Sequence, residues 1–187
     1  MNLLAILSKR TAPAIGEFFT LAQSLGVSGM GFTRLIEEGQ AKNLVAGKVD
    51  RALQPLELRE AYRSMIRESA RTSVRTSTSA PLFNLVYPGL GRNGRFGEGI
   101  VIDYKGNYLA SSRSRLVLGN ASRDGLENIF LNHPLLQRLR KRDVKVCGSC
   151  PHFNVCGGDR NAAYAHSGDF LGADPGCWVS IQQPKTA

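Results

Sequence analysis

Hydrophobic and polar residues alternate along the first part of the chain with the periods of strands and helices in turn. Residues 3–7 form a short apolar run, as in a strand that is buried on both faces. Pro13 suits a helix start, and apolar residues at helical spacing predict an amphipathic helix over residues 13–25, which Gly26 would close. Residues 27–35 predict a second strand, and its glycines predict close contact between its backbone and neighbouring atoms.

The next stretch continues this order of elements. A helix begins near Pro55, and its apolar positions recur at helical spacing, namely Leu58, Tyr62, Met65 and Ile66. Residues 73–79 follow as a polar, β-branched segment, and residues 81–87 follow as another apolar run. The order strand, helix, strand, helix, strand predicts a parallel α/β arrangement with right-handed crossovers. With only about three strands, the region is too small for a closed α/β barrel and has few strands even for an open sheet.

A glycine-rich segment separates the two halves of the chain. Residues 88–99 hold five glycines and two arginines. A phosphate-binding loop would need a Walker lysine followed by Ser or Thr, or a GxGxxG motif that opens a helix, and the segment has neither. We therefore interpret it as a linker and predict two domains, residues 1–97 and residues 98–187.

The second half has shorter elements. Residues 99–104 and 107–110 flank Lys105-Gly106, and this pattern predicts a β-hairpin. The elements predicted after it are residues 117–120, a short helix over residues 125–131 and a helix from Pro134.

All four cysteines of the chain lie within its last quarter. They are Cys147, Cys150, Cys156 and Cys177, with the spacing Cys-x2-Cys-x5-Cys-x20-Cys. A Cys-x2-Cys loop turns both thiolates towards one point, and the last cysteine closes a long loop over the site. Four thiolates satisfy a tetrahedral zinc ion or a [4Fe–4S] cluster equally well, so the spacing leaves both readings open.

The N-terminus does not have the form of an export signal. An apolar run of five residues precedes Lys9 and Arg10, which reverses the order found in a secretory signal, and no stretch is long enough to cross a bilayer. We expect a cytoplasmic protein, in which thiols stay reduced. This expectation disfavours disulfides between the four cysteines.

The chain is basic, with 24 Lys and Arg residues against 15 Asp and Glu residues and a formal net charge of +9. A basic surface favours nucleic acid or other anions. The densest basic run comprises Arg138, Arg140, Lys141, Arg142 and Lys145. Because aromatic residues are not interleaved with this run, we interpret it as a solvated helix face and do not expect a nucleic-acid partner.

Residues between the cysteines have properties that suit a sulfur-ligated centre. Gly157 and Gly158 let the backbone approach closely, as N–H donation to sulfur requires. Arg160 is positioned either to balance thiolate charge or to pair with Asp169 or Asp174. No residue of the chain is assigned a catalytic role.

The cysteine-rich stretch resembles the C-terminal SPASM domain of radical S-adenosylmethionine (radical SAM) enzymes, which carries auxiliary iron–sulfur clusters. The matching positions are Cys147-x2-Cys150-x5-Cys156-Gly157-Gly158, Arg160, Ala163, Tyr164, Gly168-Asp169 and Asp174-Pro175-x-Cys177. Residues 7–39 resemble the later strands and helices of the radical SAM barrel. The resemblance implies an α/β fold, with the C-terminal part of a (β/α) barrel over residues 1–97 and a small α+β SPASM-like domain over residues 98–187.

The resemblance also implies a cofactor and a function. Cys147, Cys150, Cys156 and Cys177 match the ligand set of the distal auxiliary [4Fe–4S] cluster of the family. The proximal cluster is expected to be lost, because the hairpin cysteine near Ala110 or Ser111 is absent and Asp159 and Arg160 occupy the position of a further ligand.

The Cys-x3-Cys-x2-Cys loop that binds the radical-generating cluster is absent as well. We expect S-adenosylmethionine and a second [4Fe–4S] cluster only if an N-terminal part supplies their site, so this chain is not expected to be catalytic alone. Its expected partners are that N-terminal half, which a truncation, a mis-assigned start or a split subunit would separate from it, and a peptide or protein substrate. Full-length enzymes of this type are maturases that modify peptides, proteins or cofactors.

One alternative comes from a different class of protein. Four cysteines and a basic surface also suit a zinc-stabilised module that interacts with nucleic acid or a protein partner, without catalysis. Metal analysis separates this alternative from the iron–sulfur interpretation.

Overall fold

The first sheet is parallel, as the alternation of strands and helices predicts. The computed structural model describes residues 1–91 and 99–180. Strands β1 (Asn2–Leu7), β2 (Gly29–Arg34) and β3 (Arg75–Thr78) lie side by side in that order, and both pairs run parallel. Residues 81–87, which the pattern marks as an apolar run, begin with a short 3-10 helix (Pro81–Leu85) that packs into the core.

Helices connect these strands and cover one face of the sheet. A 3-10 turn (Ala12–Ala14) leads into α1 (Ile15–Ser24), and α3 (Pro55–Ser69) precedes β3. Gly26 has a φ of +61°, which agrees with its predicted place just after the helix. The sequence pattern did not predict α2 (Ala41–Ala46), because it is short and has no buried residue.

Strand β1 is not buried on both faces, so that prediction is wrong. Ala5 and Leu7 point towards the helices and are buried, whereas Leu4 and Ile6 are 72% and 50% exposed. The period of two in a strand sends alternate side chains to opposite faces, and helices cover only one of them here. The sheet therefore has an open face that carries apolar side chains.

The covered face forms a core that we call the sheet core. Large buried side chains of the sheet core include Leu7, Ile15, Phe32, Leu58, Tyr62, Met65 and Phe83. The sheet core also includes Trp178 and Cys156, which come from the far end of the chain.

The second sheet is antiparallel. Strands β4 (Val101–Ile102) and β5 (Asn107–Leu109) form the predicted hairpin, and β6 (Val117–Asn120) adds to the other side of β5. The Asp103 carboxylate accepts the N–H groups of Lys105 and Asn107 at 2.8 and 2.9 Å and so fixes the turn. The predicted linker lies largely outside the described residues, because residues 92–98 are not among them.

Short helices complete the second half. A π-helical turn (Ala121–Gly125) leads into α4 (Leu126–Asn132), followed by α5 (Pro134–Arg140) and later by α6 (Arg160–Ser167). Their apolar side chains form a second, smaller core that we call the hairpin core, with the buried members Tyr108, Ile129, Leu136, Leu139, Val144, Cys147 and Leu171. Across the described ranges, no helix is both long and apolar enough to cross a membrane.

Candidate metal centre

The four cysteines line one cavity. All are free thiols, and together they contribute to the wall of a small cavity of about 20 Å³. The apolar side chains of the wall are Leu82, Leu85, Phe153 and Val179. The structure thus brings together all four residues that the spacing predicts as ligands.

This cavity lies at the seam between the two cores. Cys156 and Cys177 pack with the sheet core, whereas Cys147 packs with the hairpin core. Cys147 and Cys156 are buried, and Cys150 and Cys177 are half-buried. Any group that binds all four thiols would therefore connect the two cores covalently.

A tight turn sets the relative positions of Cys147 and Cys150. The N–H of Cys150 donates to the carbonyl of Cys147 at 3.0 Å. Gly148 is needed within this turn, because a Cβ atom there would lie 2.3 Å from the carbonyl oxygen of Arg142. The turn therefore places both thiols on its side that faces the cavity.

The glycine pair after Cys156 has the role that the sequence predicts. Gly157 and Gly158 have φ values of +72° and +69°, and the N–H of Gly158 donates to Cys156 Sγ at 3.4 Å. A Cβ atom on Gly158 would lie 2.3 Å from Arg160 Nη2 and 3.0 Å from Cys147 Sγ. Only glycine fits this position without moving the arginine and the thiol.

Arg160 is a buried cation beside the cavity. Its residue is 2% exposed, and its Nη2 atom donates to Cys147 Sγ at 3.4 Å. Its Nη1 atom donates to the carbonyls of Phe170 and Gly172 at 3.2 and 2.6 Å. Within the described residues, its Nε atom has no hydrogen-bond partner. A buried donor without an acceptor is costly, and a bound group with acceptor atoms would relieve that cost.

The two aspartates predicted as possible partners of Arg160 form ion pairs with other residues. Asp169 accepts from Lys145 Nζ at 3.0 Å, and Asp174 forms a buried ion pair with Arg34. Of the two roles predicted for Arg160, only contact with a thiol is seen. The sequence pattern did not predict the ion pair of Arg34, because nothing near the end of β2 signals a partner so distant along the chain.

Burial raises the pKa values of the two innermost thiols. It raises the pKa of Cys156 to about 12, although the Gly158 N–H opposes the shift. Burial likewise raises the pKa of Cys147, and Arg160 opposes it. In the metal-free chain both groups are protonated at neutral pH, and metal binding would displace their protons. They do not have the lowered pKa of a nucleophilic cysteine.

The four thiols face one space but do not form a preformed metal site among the described residues. Within residues 1–91 and 99–180, no group of three Cys, His, Asp or Glu side chains is placed to hold a metal ion. A tetrahedral zinc site with bonds of about 2.3 Å needs its sulfur atoms about 3.8 Å apart. The shared cavity nevertheless keeps all four thiols facing one space.

Side chains of the basic run that starts in the last turn of α5 form ion pairs and a ring contact with nearby residues. Arg138 pairs with Asp143 at 2.6 Å, and Lys145 pairs with Asp169. The guanidinium of Arg142 lies 5.1 Å from the ring centre of Phe153. These contacts leave less free positive charge than the sequence indicates.

Comparisons with known proteins point to one class of enzyme. No family model matches the chain. The mycofactocin maturase MftC of Mycobacterium tuberculosis is 28% identical over 202 aligned residues, which cover 100% of this chain and 49% of that protein. The same maturase of Mycobacterium ulcerans is 36% identical over 76 residues, or 39% of this chain and 21% of that protein. The chain thus spans about half the length of the curated relatives it matches in full.

Solved structures agree on the fold. Native anSMEcpe with bound AdoMet superposes with a TM-score of 0.64 at 17% identity, over 96% of this chain and 52% of that one. The same enzyme with bound AdoMet and the Kp18Cys peptide gives a TM-score of 0.65 at 18% identity, over 96% of this chain and 53% of that one.

These comparisons confirm the predicted resemblance to radical SAM enzymes with a SPASM-type domain, and the fold is the mixed α/β fold of that class. More particularly, the chain is similar over its whole length to about half of the mycofactocin maturase MftC of Mycobacterium tuberculosis.

Proposed function

We propose that this chain is the cluster-binding C-terminal portion of a radical SAM/SPASM maturase. In this proposal Cys147, Cys150, Cys156 and Cys177 bind one auxiliary [4Fe–4S] cluster. The observation that carries the proposal is the single cavity that all four free thiols line. The Arg160 guanidinium, whose Nη2 atom donates to Cys147 Sγ at 3.4 Å, supplies positive charge at one of the thiols.

The residues around the cavity have separate tasks in this proposal. When bound, such a cluster accepts and releases single electrons, at a potential that charge and hydrogen bonds to sulfur adjust. Arg160 and the Gly158 N–H supply positive charge and a hydrogen bond at two of the ligand sulfurs. Leu82, Leu85 and Val179 exclude water from the sheet side of the cavity.

The two parts of the chain divide the proposed function between them. We assign residues 1–97 to the C-terminal part of a radical SAM barrel and residues 98–187 to a SPASM-like domain. The parallel sheet β1–β3 supports the first assignment, and the antiparallel sheet with the cysteine centre supports the second. A reducing compartment such as the cytoplasm would keep the four thiols available for the cluster.

The open face of the sheet is the proposed side for S-adenosylmethionine and a substrate. A groove there is lined by Leu4, Gly31, Thr33, Ser77 and Arg113, and Arg113 Nη2 donates to Thr33 Oγ1 at 3.3 Å. Apolar, hydroxyl and guanidinium groups together suit a peptide or a nucleoside. Catalysis itself is not assigned to this chain, because its sequence has no Cys-x3-Cys-x2-Cys loop. An N-terminal radical SAM half would complete the site.

Metal analysis of protein purified without oxygen tests the proposal. We expect about four iron and four sulfide per chain and a brown colour. A single Cys156→Ser substitution should reduce the iron content sharply, while Ser149→Ala, at an exposed position in the same region, should not. Colourless protein with one zinc per chain would support the zinc-binding alternative instead.

A further inference from the structure

A buried ion pair joins the first sheet to the cysteine-rich region. Arg34 ends β2, and its side chain is 6% exposed. Its Nη2 atom donates to both carboxylate oxygens of Asp174 at 2.9 Å, and its Nε atom donates to Asp159 Oδ2 at 3.3 Å. The aspartate side chains are 0% and 8% exposed, respectively. The contacts span 140 and 125 residues of sequence.

Both aspartates are built into the segments that carry proposed ligands. Asp159 follows Cys156 by three residues, and its Oδ1 atom caps α6 by accepting from the N–H of Asn161 at 3.0 Å. Asp174 precedes Cys177 by three residues, and its backbone carbonyl accepts from the N–H of Cys177 at 3.1 Å. The carboxylate of Asp174 also accepts from the N–H of Asp159 at 2.7 Å. One carboxylate therefore holds both ligand segments together.

The Cys177 loop lies directly against the guanidinium. A Cβ atom on Gly176 would lie 2.3 Å from Arg34 Nη1 and 3.0 Å from Leu58 Cδ2. The Gly176 N–H donates to Asp174 Oδ1 at 2.9 Å. Burial opposes the charge on Arg34, but Asp174 and Asp159 outweigh burial and raise the pKa of Arg34 above its ordinary value. The guanidinium therefore stays charged, and both carboxylates depend on it, since an unpaired buried charge is strongly unfavourable.

We propose that Arg34 is a positioning residue for the cysteine centre. It contacts no thiol, and it acts through Asp159 and Asp174 by fixing the Cys156 and Cys177 segments against the end of β2 before any cluster binds. The role of Arg34 at a cluster rests on the proposed function. The contacts by which Arg34 positions the two segments are present in the metal-free chain. The positioning role predicts that loss of the Arg34 contacts loosens the Cys156 and Cys177 segments against the end of β2.

Arg34→Lys and Arg34→Met test the positioning in the full-length chain. Lysine keeps the charge but has a single nitrogen, so it cannot donate to Asp174 and Asp159 from two separate atoms as Arg34 does. Methionine removes both the charge and the contacts. Arg51→Met is the matched control, because Arg51 pairs with Glu57 at 2.9 Å in the same half but is 38% exposed. A cooperative melt monitored by circular dichroism shows which variants fold.

The first readout needs no cluster. In metal-free protein, mass spectrometry follows alkylation of each cysteine by iodoacetamide. We expect Arg34→Lys to speed alkylation of Cys156 and Cys177 about tenfold or more, because the local opening of their segments becomes easier. Cys150 should change little, and so should all positions in Arg51→Met. Unchanged rates at Cys156 and Cys177 in folded Arg34→Lys would overturn the proposal.

The second readout uses reconstituted protein. Iron loss to a chelator should be faster in Arg34→Lys than in wild type and Arg51→Met, and the electron paramagnetic resonance lines of the reduced protein should broaden. If wild type takes up no iron, the proposed function fails, and the alkylation result still decides the positioning role. If Arg34→Met does not fold, Arg34→Lys and Asp174→Asn carry the test. Equal iron loss in all folded variants counts against the inference.

Discussion

The two halves of the molecule are stabilised in different ways. Among the described residues, the first half contributes seventeen buried apolar residues and the second half twelve, so the first half has more apolar burial to stabilise it. The second half has strands of two to four residues and long turns around the cysteines. Small units with little core usually depend on a metal or on disulfides. We therefore expect the second half to depend more on a group bound at its cysteine centre than the first half does.

The largest expected effect comes from removing a buried ligand. Cys156→Ser leaves the proposed cluster without one of its four thiolates at the position that also packs with the sheet core. We expect loss of most of the iron and loss of slow hydrogen exchange in residues 99–180, while residues 1–91 keep their protection. Hydrogen exchange followed by mass spectrometry measures both halves at once. Equal loss in the two halves would contradict the comparison.

A core substitution in the first half should mainly destabilise the first half. Phe83 is fully buried, and its ring centre lies 5.1 Å from that of Tyr62. Phe83→Ala should lower the free energy of unfolding by about 3–5 kcal/mol, through lost burial and a cavity. Chemical denaturation of reconstituted protein measures the change. Leu21→Ala, at a position 48% exposed on α1, is the control and should cost much less.

Alanine substitutions at two glycines distinguish the cost of backbone strain from the cost of crowding at the cysteine centre. Gly158 and Gly168 have nearly equal φ values of +69° and +71°, but a Cβ atom on Gly168 meets nothing within 4 Å. Gly168→Ala should therefore cost about 1 kcal/mol from the left-handed conformation alone. Gly158→Ala should cost more and should also reduce the iron content, because it displaces Arg160 or Cys147. Similar stability and iron content in the two variants would mean that the close approach is unimportant.

The smallest effect concerns acid stability in the first half. Hydrogen bonds from Arg51 and Lys9 lower the pKa of Glu57 from 4.5 to about 2. A lowered folded-state pKa adds stability that is present above pH 4.5 and is lost as the pH falls from there towards 2. Glu57→Gln should remove this pH dependence and cost about 1 kcal/mol or less at neutral pH, because the carboxylate is partly exposed. Urea titrations at pH 3 and pH 7 measure the difference.

Local patterns predicted most of the elements and the ligand set. The helical spacing around Leu58 and Tyr62 predicted α3, and the four cysteines predicted a shared site. The one-sided burial of β1 was not predictable, because an apolar run does not show which face its neighbours cover. The pairing of Arg34 with Asp174 was not predictable either, since it depends on where the fold brings residues 140 positions apart. Contacts between distant segments hold the site together, whereas sequence periodicity reports on local structure.

The most direct test of the central claim is the Mössbauer spectrum of the chain produced with ⁵⁷Fe and purified without oxygen. The proposed cluster predicts the signal of a single [4Fe–4S] centre, with about four iron per chain. A spectrum of mononuclear iron, or iron-free protein with one zinc per chain, would contradict it.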